Sequence, residues 1–106
     1  MYNQYHIATI NLDPTIGHEI KKTRPCVILS PNEMNVHLQT IIVAPLTSNK
    51  KAYPTRVMIQ SENRKSMCAL DQIRTIDKRR IIKGAGPIQT KEIIQIKATL
   101  KEMLVD

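Results

Sequence analysis

The chain has 106 residues, 42% of them hydrophobic, and carries +7 from 16 Lys and Arg against nine Asp and Glu. That length supports one core, so a single domain over 1–106 is expected, and the composition excludes disordered and fibrous classes. The longest apolar run is far below the roughly 20 residues of a membrane helix, and "MYNQYHIATI" lacks the basic start and apolar middle of a signal peptide, so a cytoplasmic protein with no membrane partner is expected.

"YHIATINL" (5–12) reads as a strand from its short apolar spacing and β-branched residues. "PCVILS" (25–30) is apolar on both faces, the mark of a central strand, and must stop at Ser30-Pro31. There "SPNE" offers a capping serine, a proline at the first helical position and a glutamate three after the cap, which predicts one short helical turn. "QTIIVAPL" (39–46) is the third strand, ended by Pro45, and "TRVMIQ" (55–60) alternates as a half-exposed fourth. "SENRK" is turn material. "SMCALDQIRTI" (66–76) is one long strand or two joined at Asp71-Gln72.

After "DKRR", the glycines of "KGAGP" break the chain before a helical period begins. "TKEIIQIKATLKEMLV" (90–105) places Ile93, Ile96, Leu100, Met103 and Leu104 on one face, with Thr90 as N-cap and Glu92 near the positive end. Short strands followed by one amphipathic helix predict a small curled sheet or barrel in the α+β class. Cys26 and Cys68 are far apart, lie inside apolar runs and match no metal or redox spacing, so both read as buried core thiols.

The charge excess predicts an anionic partner, nucleic acid or an acidic protein. Only Tyr2, Tyr5 and Tyr53 are aromatic, which argues against a sheet that stacks bases on paired aromatics. Function is expected on loops at one rim: the opening stretch "DPTIGHEIKKTRP" (13–25), "PLTSNKK" and "LDQIRTID". Arg24, beside Pro25, is a tethered guanidinium suited to phosphate, the alternative being an ion pair with Asp13 or Asp71. Thr47 and Ser48 can donate to a phosphate or simply cap their loop. His18 is an acid–base candidate or a solvated histidine. No Gly-rich phosphate loop, metalloprotease motif or nucleophile elbow is present, and Asp13, Glu19, Asp71 and Asp77 are too scattered for a two-metal site. The residues alone therefore indicate a basic phosphate binder with no metal and no cofactor.

In order, "NLDPTIGHEIKKTRPCVILS", "VAPLTS", "YPTRV" and "LDQIRTIDKRR", followed by the terminal helix, resemble the MazF/PemK (Kid-like) family of type II toxin–antitoxin ribonucleases. The resemblance implies an SH3-like barrel of about five to seven strands with a C-terminal amphipathic helix, acting as a homodimer. It implies metal-independent, sequence-selective cleavage of single-stranded messenger RNA, in which the 2′-hydroxyl attacks the adjacent phosphate to leave a 2′,3′-cyclic phosphate and a 5′-hydroxyl. The family's catalytic arginine of "TRP" and threonine of "PLTS" map onto Arg24 and Thr47. Members that use the histidine of "DPTxGHE" and the aspartate of "DQ" map theirs onto His18 and Asp71. Their arginine two residues before that aspartate is Ala69 here.

Thr15, Glu19, Lys21, Lys22, Ser48, Lys50, Lys51, Gln72 and Arg74 are the expected RNA-binding shell. The implied partners are single-stranded RNA and an acidic antitoxin of the MazE/PemI type lying over the same rim, with DNA reached only through the antitoxin complex. From a different class, the alternative is a non-enzymatic toxin on the same fold, such as a CcdB-like gyrase poison, or a nucleic-acid-binding adaptor.

Overall fold

Alternating β-branched residues build a curled antiparallel sheet with apolar side chains on both faces, seen in a computed structural model that describes residues 2–106. Its strands are β1 (His6–Asn11), β2 (Thr23–Ile28), β3 (Thr40–Thr47), β4 (Arg56–Ser61), β5 (Arg64–Ala69), β6 (Arg74–Asp77) and β7 (Ile81–Pro87). A short helix, α1 (Asn32–His37), joins β2 to β3, and α2 (Thr90–Leu104) follows β7. Tight 3-10 turns at Leu70–Gln72 and Lys78–Arg80 flank β6. The order is β4-β5-β3-β2-β1-β7, with β6 also on β3. This is the expected α+β half-barrel with a C-terminal helix.

β3 is the hub. Its first half, Thr40 to Val43, pairs with β6, and Leu46 and Thr47 pair with β5, while β2 lies along its other edge. Pro45 was expected to end this strand, yet it sits inside it. The ladder explains why: Leu29 N–H donates to Ile42 O at 2.8 Å, and the alternation this sets along the Cys26–Pro45 register turns the Pro45 nitrogen away from β2. It faces the gap where β6 has ended and β5 has begun, so the missing N–H breaks no ladder bond.

β2 alternates between the two cores. Val27 joins Ile7, Leu46, Ile59 and Leu70 under α2, and Cys26 and Ile28 join Ile10, Ile41 and Val43 on the other side. Both cysteines are buried as expected, and burial pushes each thiol up to about 12, which leaves them inert at neutral pH. Among the described residues no helix is long and apolar enough to cross a membrane.

Four further local expectations are corrected. The "KGAGP" segment does not break the chain: it is most of β7, an edge strand on β1 with register irregularities and almost no buried side chain. Pairing to β1 overrides the low strand propensity of Gly84 and Gly86. Ser30 does not cap α1; its hydroxyl donates to Asn35 Oδ1 and accepts the Ile42 N–H, tying α1 to β3.

The N-cap of α2 is Gln89 instead of Thr90, in a capping box closed by Glu92. Glu92 is buried because Oε1 accepts Gln89 N–H and Oε2 accepts Gln60 N–H of β4, each at 2.8 Å. Ile96 fills the core and Ile93, Leu100 and Met103 flank it, whereas Leu104, expected on the same face, is 70% exposed.

Candidate nucleic-acid interface

The connection between β1 and β2 is held open by its own side chains. Asp13 Oδ1 accepts the Lys22 N–H at 3.1 Å and the Thr15 hydroxyl at 3.5 Å, and Glu19 Oε1 accepts the Ile16 N–H at 2.6 Å. Gly17 takes the left-handed backbone that the tip requires (φ +59°), and Lys22 adopts it too (φ 71°) despite its side chain.

Residues 72–80 latch this loop from outside. Gln72 Oε1 accepts Ile20 N–H at 2.5 Å and its Nε2 donates to His18 O at 3.3 Å. Arg74 Nη1 donates to Leu12 O at 3.0 Å, and Arg80 Nη1 donates to Asn11 O and Asp13 O. Gln72 and Arg74 were expected among the RNA contacts, and these bonds make them loop-holding groups as well.

Two depressions border the loop. One is lined by His18, Glu19, Asp71, Gln72 and Arg74 around Pro45 and the exposed Ile16. The other is lined by Lys22, Thr23, Arg24, Ser48 and Lys50, and by Asn63, Arg64, Lys65 and Ser66 of the β4–β5 hairpin around Leu46. Pro45 and Leu46 are consecutive, so their side chains leave β3 on opposite sides. The single rim expected from sequence is therefore two basins, with His18 in one and Arg24 in the other. Thr15, Lys21, Thr47 and Lys51 line neither.

Arg24 is the second residue of β2, at the foot of the loop. Its Nε donates to Lys21 O at 2.9 Å, and it makes no ion pair among the described residues, so the alternative partners Asp13 and Asp71 are both excluded. Its basin contains five cationic side chains and no carboxylate. Arg64 and Lys65 had been read as turn residues. Glu62 and Asn63 alone make the turn, both with positive φ, and the two cations that follow open β5. Two adjacent basic residues directly after a hairpin turn were the available signal. Thr47 is buried and its Oγ1 accepts the Asn49 N–H at 3.2 Å, the loop-capping role.

Asp71 is held by Arg56, Nε to Oδ1 at 3.2 Å and Nη2 to Oδ2 at 3.3 Å, and by the Thr55 hydroxyl at 3.1 Å. Burial alone raises its pKa, but the hydrogen bonds from Arg56, Thr55 and backbone outweigh it and hold the carboxyl below its usual range. Among the described residues no three His, Cys, Asp or Glu side chains group as metal ligands.

Residues 3–104 match the family described as PemK-like, MazF-like toxin of type II toxin–antitoxin system. The chain belongs to this family. The endoribonuclease toxin MazF of Escherichia coli K12 is 31% identical to the toxin over 98 residues, covering 90% of this chain and 86% of that relative. The Staphylococcus epidermidis endoribonuclease MazF is 33% identical over 102 residues, 91% and 85% of the two chains. A crystal structure of MazF from Deinococcus radiodurans superposes with a TM-score of 0.85 at 25% identity, covering 96% of this chain and 94% of that one.

Ala69 in the toxin stands directly across the β4–β5 ladder from Arg56. A guanidinium therefore meets Asp71 after all, supplied by the facing strand, and sequence reading missed it because the ladder register decides it.

Proposed function

We propose that this MazF-like endoribonuclease toxin cleaves single-stranded RNA, chiefly messenger RNA, without a metal, by attack of the substrate's own 2′-hydroxyl on the adjacent phosphate. The carrying observation is Arg24: an arginine fixed at Nε, unpaired with any carboxylate, in a basin of five cations. Charge on the five-coordinate phosphorus is met there by the planar donors of Arg24, which suits preorganised electrostatic stabilisation. Guanidinium does not readily give up a proton, so proton transfer falls to other groups. Thr47 accepts from Asn49 and keeps its own hydroxyl proton to donate. His18 is exposed in the neighbouring basin beside Asp71, whose ionised, Arg56-bound carboxylate fits an electrostatic role and not that of an acid.

Lys22, Lys50, Arg64 and Lys65 hold the strand by its phosphates. The charge of +7 and the toxin–antitoxin family support an acidic antitoxin over the same basins, with DNA met only through that complex. We extend the reading to a single-domain homodimer in the cytoplasm. The test is digestion of total RNA in excess chelator, with the 5′ ends analysed by ligation. Ends that ligate only after phosphorylation, opposite cyclic phosphates, are expected. Intact RNA, or 5′-phosphate ends, refutes the mechanism.

A further inference from the structure

Tyr2 and Tyr5 pack against the two cores, which leaves Tyr53 as the one tyrosine available to a ligand. It stands in the loop between β3 and β4 with 44% of its surface exposed. Its ring is nevertheless fixed. The guanidinium carbon of Arg56 lies 4.9 Å from the ring centroid, and Arg56, 11% exposed, is itself anchored through both nitrogens on Asp71. The backbone holds the same geometry: Arg56 N–H donates to Tyr53 O, and Tyr53 N–H donates to Lys51 O, each at 3.1 Å. Asp71 lines the basin of His18, so the ring stands one guanidinium away from that basin.

We propose that Tyr53 is a stacking platform for one unpaired nucleobase of the bound RNA. This rests on the reading of the toxin as a ribonuclease for single strands. Every base has a π face, and a ring already immobilised by a guanidinium loses little further freedom on stacking. The Lys51 ammonium is 5.8 Å from the ring centroid, near the limit of a cation–π contact, on an exposed side chain. An incoming base displaces it, and its charge is then free for the flanking phosphate. The fold has no evident need for an exposed aromatic here, because the Arg56–Asp71–Thr55 bonds already close the loop.

The test compares wild type, Tyr53→Phe and Tyr53→Ala. The probe is a 2′-O-methyl oligoribonucleotide, which cannot be cleaved by 2′-attack, with 2-aminopurine placed at successive positions. Wild type and Tyr53→Phe are expected to quench the fluorophore at one position, and Tyr53→Ala to lose that quenching together with about tenfold in affinity, on the scale of one stacked base. Cleavage of an unmodified RNA by Tyr53→Ala then shows a raised KM with kcat close to wild type. Quenching that survives in Tyr53→Ala, no quenching at any position in wild type, or a lowered kcat with KM unchanged, each overturns the proposal; the last makes the ring a support for Arg56 and Asp71. Position-specific quenching by a wild type that leaves RNA intact upholds the platform while refuting the nuclease mechanism.

Discussion

Replacing Arg24 by lysine keeps the positive charge and removes the fork. The native side chain spends Nε on Lys21 O and leaves its terminal nitrogens free of partners among the described residues, so two planar donors can reach a phosphate. Lysine offers one mobile point charge instead and loses the anchor. Removing a single preorganised donor costs about 10²–10³ in kcat, or about 2.7–4 kcal/mol, so Arg24→Lys should fall in that range and Arg24→Ala at or beyond it. KM should change little, because Lys22, Lys50, Arg64 and Lys65 still line the basin and only transition-state binding is lost. Stability should fall by about 0.5–1.5 kcal/mol for the one backbone bond. Single-turnover cleavage at saturating protein, with a thermal melt on the same sample, separates these terms. Cleavage by Arg24→Lys within a few-fold of wild type would refute the reasoning, since charge alone would then suffice.

Gln72→Ala removes two bonds to the loop carrying His18, and faster hydrogen exchange at the Ile20 amide is expected with kcat reduced by up to about thirtyfold, if each bond is worth about 1 kcal/mol. The double variant Arg64→Gln/Lys65→Gln should weaken RNA binding and reduce its log–log salt slope by about 0.7 for each phosphate that is no longer neutralised; an unchanged slope in filter binding makes both residues bystanders. Ile96→Ala opens a hole beneath α2 and should cost about 2–5 kcal/mol, read as a melting point lowered by about 10 °C or more. Asp71 has a depressed folded pKa, so its contribution to stability is complete above the unfolded value of about 4 and disappears as pH falls through the lower folded value. Denaturant titrations of Asp71→Asn should therefore show a flatter acid limb than wild type below about pH 4, and a limb equally steep would mean that the carboxylate gains nothing from Arg56.

The sequence was most informative where periodicity and turn chemistry agree. The alternation in residues 55–60, the apolar run of β2 and the helical spacing around Ile96 all located their elements to within a residue or two. It failed at β7, where glycines and a proline resemble a break but lie on an edge strand whose pairing with β1 decides the conformation. It failed at Pro45 because only the change of partners along β3 makes a proline harmless there. The site residues were legible as types in separate motifs. Their partition into two basins, and the pairing of Arg56 with Asp71, follow from side-chain parity and ladder register, which no linear motif records.

Lys22 carries a tension between foldability and use. A lysine in left-handed backbone is strained by about 1 kcal/mol relative to glycine, and nothing in the core needs its side chain, which is exposed. Selection for the fold alone would favour glycine at this turn. On the proposed function, the cation that lines the Arg24 basin holds an RNA phosphate at the expense of local stability, so part of the toxin's marginal thermodynamic reserve is exchanged for grip on a polyanion.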